Sequence, residues 1–413
     1  MPLWLIRSQR ISGASLGASL IVGMLVGWMG NLAAQERALP PEVAERFERR
    51  SREAEASGLA EPCRGVTAAG TLEPDLYRIR STGVSTEPVR RAALAFRAAL
   101  SPPQEARTVY RVDDNEWRKW MNQHFYVRQG VSFGEMKPAQ RRAAFALLAA
   151  SLSAKGLRQS RDIMRLNTTM AELTRNPAEY GEGFYHLTMM GKPSATEPWG
   201  WQLDGHHLNI NYFVLGDQVV MTPTFMGSEP RTATAGVHAG TTVLQNEEKR
   251  GLAMIKALDP GQRRQAILST PKSRANNLSE AWRDNLVLDY AGVSAAALTP
   301  VQRRQLLDLI GEHVGNMREG HARVRMDEVA KHLDRTYFAW VGGTEPDSVF
   351  YYRVHSPVIL IEFDHQGPIG LPGDRAIPTR NHVHSIVRTP NGNDYGKDLL
   401  RQHYERHPAP HRH

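Results

Sequence analysis

Residues 197–230 read EPWGWQLDGHHLNINYFVLGDQVVMTPTFMGSEP. Apolar residues alternate with polar ones through two runs, and Gly216-Asp217 between them has the chemistry of a two-residue β-hairpin turn. Two adjacent histidines, His206 and His207, stand near the start of the first run. Side chains alternate between the faces of a strand, so neighbouring histidines are expected on opposite faces. On that phase His206 travels with Leu208, Ile210 and Tyr212, whereas His207 travels with Asn209 and Asn211. A His-x-Asn-x-Asn row suits the wall of a polar pocket. His207 is therefore the expected pocket residue, and His206 a ligand or a satisfied core histidine. A bulge at Gly205 would reverse the phase.

Further strands are read in 183–191, 335–343, SVFYYRVH, PVILIEFDH and NHVHSIVRTP. Between the early and late groups lie about a hundred residues of helical pattern, from Leu244 to Leu333. That order implies an α+β fold with a mainly antiparallel sheet, in which the late strands return to the early ones. Lys137, Asp259 and Thr299 each precede Pro-x-Gln-Arg-Arg and an apolar helical pattern. Proline at the first helical position and glutamine at the capping-box position mark helix starts. Their spacing is too irregular for a solenoid.

In PVILIEFDH, one face of the strand is apolar, and the other begins with Val358 and Leu360 and ends with Glu362 and Asp364. Two carboxylates two residues apart on a buried strand require a cation or hydrogen-bond donors. His382 and His384 likewise share one face of the next strand, a spacing suited to metal ligation. Pairing of the two strands brings Glu362 or Asp364 beside them. The expected metal set is His206, His382, His384 and Glu362, holding zinc, iron, copper or manganese. Glu362, Asp364 and His207 are the candidate catalytic groups; Asn209, Asn211, Arg353 and Trp201 are candidates for substrate binding. A metal-free His–carboxylate network is the bland alternative.

The 413-residue chain carries a net charge of +8, but its bases are interspersed with acids and no aromatic-interleaved basic tract occurs. Nucleic acid is not an expected partner. Residues 1–34 have a basic start, an apolar middle and a small-residue end, the pattern of an export signal. The rival is an inner-membrane anchor over residues 11–34. Residues 35–87 read as a poorly ordered or partly helical lead, 88–404 as one α+β domain, and 405–413 as a histidine-rich tail. Cys63 is the only cysteine, so an exported chain has no internal disulfide. Periplasm or secretion follows, without stable membrane contact once the signal is cleaved.

Walker and H-E-x-x-H motifs are absent. LSAKGLRQSRDIMRLNTTMAEL, PWGWQLDGHHLNINYFVLGDQVVMTPTFMGSEP, YYRVHSPVILIEFD and NHVHSIVRTPNGNDYGKDLLRQHY resemble the family called domain of unknown function 3500, from about Asn115 to Tyr404. The resemblance implies one shared architecture and contributes no reaction or catalytic residue. Its hallmark segments contain His206, His207, His382 and His384. The sequence thus points to a metal-dependent enzyme acting on a small molecule, a hydrolase ahead of an oxidoreductase. The rival class is a periplasmic protein that binds a small polar ligand without turnover.

Overall fold

The computed structural model describes residues 39–408. Residues 1–34, read above as an export signal, and the last five residues of the tail lie outside them. After α1 (Pro41–Gly58), the chain builds two similar units. The first contains α2 (Glu87–Ala99), α3 (Pro102–Thr108), β1 (Val109–Tyr110), β2 (Val131–Ser132), α4 (Pro138–Ser151), α5 (Ala154–Thr174), β3 (His186–Met190), β4 (Trp199–Gly205), β5 (Leu208–Leu215), β6 (Gln218–Val220) and β7 (Thr224–Ser228). The second contains α6 (Gln245–Ala257), α7 (Pro260–Ala266), β8 (Ile267–Ser269), β9 (Val293–Ser294), α8 (Pro300–Val314), α9 (Glu319–Lys331), β10 (Tyr337–Gly342), β11 (Phe350–His355), β12 (Leu360–His365) and β13 (Val383–Arg388). Helix α10 (Lys397–Arg406) follows.

All strands join one sheet, ordered β1-β3-β4-β5-β7-β13-β12-β11-β10-β8. Named strand pairs are antiparallel except β1–β3 and β8–β10, so the sheet is mainly antiparallel, as expected, with a parallel pair towards each end. The late strands do return to the early ones, through β7 and β13. The block between the groups is helical but also contributes β8 and β9.

The sheet order reads alike from both ends, and so does the register. Val131 pairs with Leu187 and Ser132 with His186; Val293 pairs with Phe338 and Ser294 with Tyr337. Trp201 faces Tyr212 across β4–β5, as Tyr352 faces Phe363 across β11–β12. Gly130 and Gly292 have φ of +85° and +96°, and a Cβ on either would meet the carbonyl of Leu187 or Phe338 at 2.1 Å. Only glycine fits such a position. The antiparallel β7–β13 pair therefore joins two copies of one unit about an approximate two-fold axis near Thr224 and Val387.

The Pro-x-Gln-Arg-Arg segments belong to this repeat. Gln140 and Gln302 each accept a hydrogen bond from the backbone N–H of the residue before the helix, at 2.8 Å. Their amides donate to the carbonyls of Ala99 and Ala257, the last residues of α2 and α6. Each glutamine thus caps its helix and ties two helices together, which explains its burial, and Thr299 completes a capping box with Gln302.

One face of the sheet packs on helices through Met226, Phe363 and Tyr352, with Phe96, Leu147, Ile163, Met254 and Leu309 opposite. On the other face a smaller core contains Trp117, Trp120, Phe225, Ile386 and Leu399. No helix among the described residues is long and apolar enough to cross a membrane.

Candidate metal centre

The adjacent histidines do not occupy alternating strand positions. Gly205 pairs with Leu208, leaving His206 and His207 as the two-residue turn between β4 and β5. His207 has a φ of +61°, a left-handed conformation uncommon outside glycine but one in which histidine is enriched. Strand alternation does not operate inside a turn. The two rings consequently stack, with centroids 3.9 Å apart and planes 25° apart.

Two backbone contacts fix the turn. The N–H of His207 donates to the Asn122 carbonyl at 3.0 Å, and its own carbonyl accepts from Gly227 N–H at 2.8 Å. Gly227 on β7 pairs with His384 on β13. The neighbouring strands thus bring His207 to His384, and the two-residue period adds His382. These three histidines can hold a metal ion: one nitrogen from each lies within 4.8 Å of the others. Nε2 of His382 is 3.0 Å from Nε2 of His384 and 3.3 Å from Nε2 of His207.

The outer nitrogens decide what the inner ones can do. His382 Nδ1 meets the Gly367 carbonyl at 2.7 Å, and His384 Nδ1 meets the Glu280 carboxylate at 2.7 Å. Both partners accept, so both Nδ1 atoms carry hydrogen. In the neutral rings each Nε2 is then a bare lone pair, and neither can donate to the other. Burial, followed by the neighbouring imidazoles, holds His207 and His384 well below the ordinary histidine pKa. Each of the three is less than one-tenth exposed. Two Nε2 lone pairs, on rings whose Nδ1 atoms are anchored to acceptors, converge with Nε2 of His207, and the three rings together can serve as the donor set of a metal site.

Glu280 completes the surroundings. Besides His384 it meets Asn277 Nδ2 at 2.9 Å and Asn122 Nδ2 at 3.3 Å. Burial raises its pKa, opposed chiefly by the Asn277 hydrogen bond. It sits in a loop between β8 and β9 that lacks periodicity, so no sequence pattern marks it. The loop is held from below: the buried Arg388 donates to the carbonyls of Ser279 at 2.6 Å and Glu280 at 2.9 Å, while pairing with Asp284 and Asp394.

Glu362 and Asp364 serve the same loop. Asp364 does pair with His384 in register. Its carboxylate, however, is taken by Lys272 at 2.9 Å and by Asn276 N–H at 2.7 Å. Glu362 accepts from Leu278 and Ser279 N–H at 3.0 and 2.9 Å and from Tyr351 Oη at 2.6 Å. Donors thus meet the acidic pair, and Glu362 stands outside the three-histidine group.

His206 is also outside that group; its Nδ1 bonds Asn167 Oδ1 at 2.8 Å. Asn211 donates to the Pro223 carbonyl at 2.9 Å and accepts from Gln202 Nε2 at 2.7 Å, whereas Asn209 is bonded to Asp204. Trp201 stacks on Tyr212 in the core at 5.1 Å. Arg353 is buried opposite Glu362 on the neighbouring strand.

No curated protein and no solved structure matches the chain. A family model described as "Protein of unknown function (DUF3500)" matches residues 82–397, nearly the whole of both units and the three histidines, and the chain belongs to that family.

Proposed function

We propose that this protein is an exported metal-dependent hydrolase whose metal is held by His207, His382 and His384. The observation that carries the reading is the meeting of three imidazole Nε2 atoms while the outer nitrogens of His382 and His384 are committed to Gly367 and Glu280. Facing lone pairs repel unless a cation lies among them. Three protein ligands without a fourth from a carboxylate resemble catalytic zinc sites, which keep a position for water. Bound there, a divalent transition metal would supply a water of lowered pKa and a Lewis acid.

The chain's own residues have separate tasks. Glu280 orients His384 and keeps its Nε2 unprotonated, and the Gly367 carbonyl does the same for His382. The His206 ring backs His207 and fixes its tilt. Export rests on the composition of residues 1–34, and a small-molecule substrate on the recessed position of the histidines. Hydrolysis of chromogenic carboxylic and phosphoric esters by the purified protein, before and after chelation, tests the proposal. Activity lost on chelation and regained with zinc, iron, copper or manganese is expected; turnover indifferent to the chelator refutes it.

A further inference from the structure

The duplicated fold has a counterpart to the histidine site, assembled with the units exchanged. Asp364 pairs with His384 on β12–β13, and Phe213, the equivalent of Asp364, pairs with Val220 on β5–β6. Val220 therefore stands where His384 does, and Gln218 where His382 does. The turn His206-His207 becomes Pro357-Val358, since Ser356 N–H bonds the Ile359 carbonyl as Gly205 pairs with Leu208. No metal ligand remains at any of these equivalent positions.

The counterpart is nevertheless not filled in. Gln218, Val220 and Met221 line a cavity of about 280 Å³, together with Thr224 and Val387 at the two-fold axis. Arg325 also lines it, and its guanidinium reaches the Val358 carbonyl at 2.5 Å. The volume is close to the lower end of small-molecule sites, ~300–1,000 Å³.

Charge at the rim favours one sign. The lining acids are each beside an arginine of the same cavity: Glu328 pairs with Arg325, and Asp75 lies 4.0 Å from Arg78. Arg80 and Lys331 also line the cavity, and neither side chain has an ion pair among the described residues. Asp327 lines a neighbouring recess with both of them. Exposed cationic heads above a floor of Val220, Met221, Val387 and Met317 match a molecule with an anionic end and an apolar body.

We propose that this cavity is a second ligand site, specific for a small organic carboxylate with an apolar tail and independent of the metal centre. Calorimetric titration of the purified chain with octanoate tests it, alongside octan-1-ol and the double variant Arg80→Glu/Lys331→Glu. Both substituted side chains are exposed, so the variant retains its fold, which circular dichroism verifies. The expected result is one octanoate per chain, bound at least about tenfold more weakly by the variant, with octan-1-ol failing to compete. Binding in His382→Ala equal to that of the unsubstituted chain would further support a separate site. No saturable binding in the millimolar range, equal affinity in the double variant, or equal binding of octan-1-ol overturns the proposal.

Discussion

Gly227 donates its backbone N–H to the carbonyl of His207 at 2.8 Å while standing directly across the sheet from His384. One residue without a side chain thus connects two of the three clustered histidines, from opposite halves of the molecule. A Cβ built on Gly227 would lie 2.7 Å from the Val383 carbonyl and 3.1 Å from His384 Cδ2. Gly227→Ala is therefore expected to cost about 1–3 kcal/mol of stability through overpacking. It should weaken metal binding as well, because His384 must shift. Chemical denaturation and metal titration of the variant measure the two effects, and unchanged metal affinity would contradict the proposed closeness of these strands.

In the proposed centre, Glu280 would act on the metal through His384, whose Nδ1 it meets at 2.7 Å. Glu280→Gln replaces an acceptor-only carboxylate with an amide that can present hydrogen to Nδ1. Loss of comparable outer hydrogen bonds lowers metal affinity by about 10–100-fold. A reduction of that size is expected in competition with a chromogenic chelator, with the melting temperature nearly unchanged. Unaltered affinity would remove Glu280 from the centre.

Glu362 separates the structural reading from the one its strand position invites. Its carboxylate takes the amides of Leu278 and Ser279, so Glu362→Ala leaves buried donors unpaired and should cost about 2–4 kcal/mol. Metal stoichiometry should survive at permissive temperature. Loss of metal from a variant of unaltered stability would make Glu362 a ligand after all.

Glu248 governs part of the acid sensitivity. It pairs with Arg231 and Arg380 and meets His365 Nε2 at 3.4 Å. Although burial opposes ionisation, the His365 hydrogen bond and Arg231 pull its pKa from 4.5 to about 2. A depressed folded-state value adds stability that is complete above the unfolded pKa and lost as pH falls through the folded one. The shift corresponds to about 3 kcal/mol at neutral pH. Glu248→Gln should therefore be less stable than the unsubstituted chain at pH 7, with the gap narrowing between about pH 4.5 and 2. Urea denaturation across that range checks it; a gap independent of pH would point to shape rather than charge.

Much of the scaffold was legible because local signals agreed with global packing. Asp259 and Thr299 cap their helices as their spacing predicts, and Gly216-Asp217 turns the chain between β5 and β6. The duplication was hidden by loops of unequal length, although GVS at 130–132 and 292–294 precedes both related helices. Alternation correctly put His382 and His384 on one face but failed at His206 and His207, where the backbone leaves the extended region. Glu280 gave no signal, since a loop carboxylate acquires its role only when Glu362, Asp364 and Arg388 fix the loop against the sheet. Buried charge was correctly recognised as needing partners; whether these were a cation or backbone amides depended on contacts remote in sequence.

The most direct measurement is elemental analysis of the purified chain beside His382→Ala and His384→Ala. About one zinc, iron, copper or manganese ion per chain, absent from both variants while circular dichroism remains unchanged, is the predicted result. Protein that contains none of these metals and takes up none when they are offered would contradict a metal centre at His207, His382 and His384.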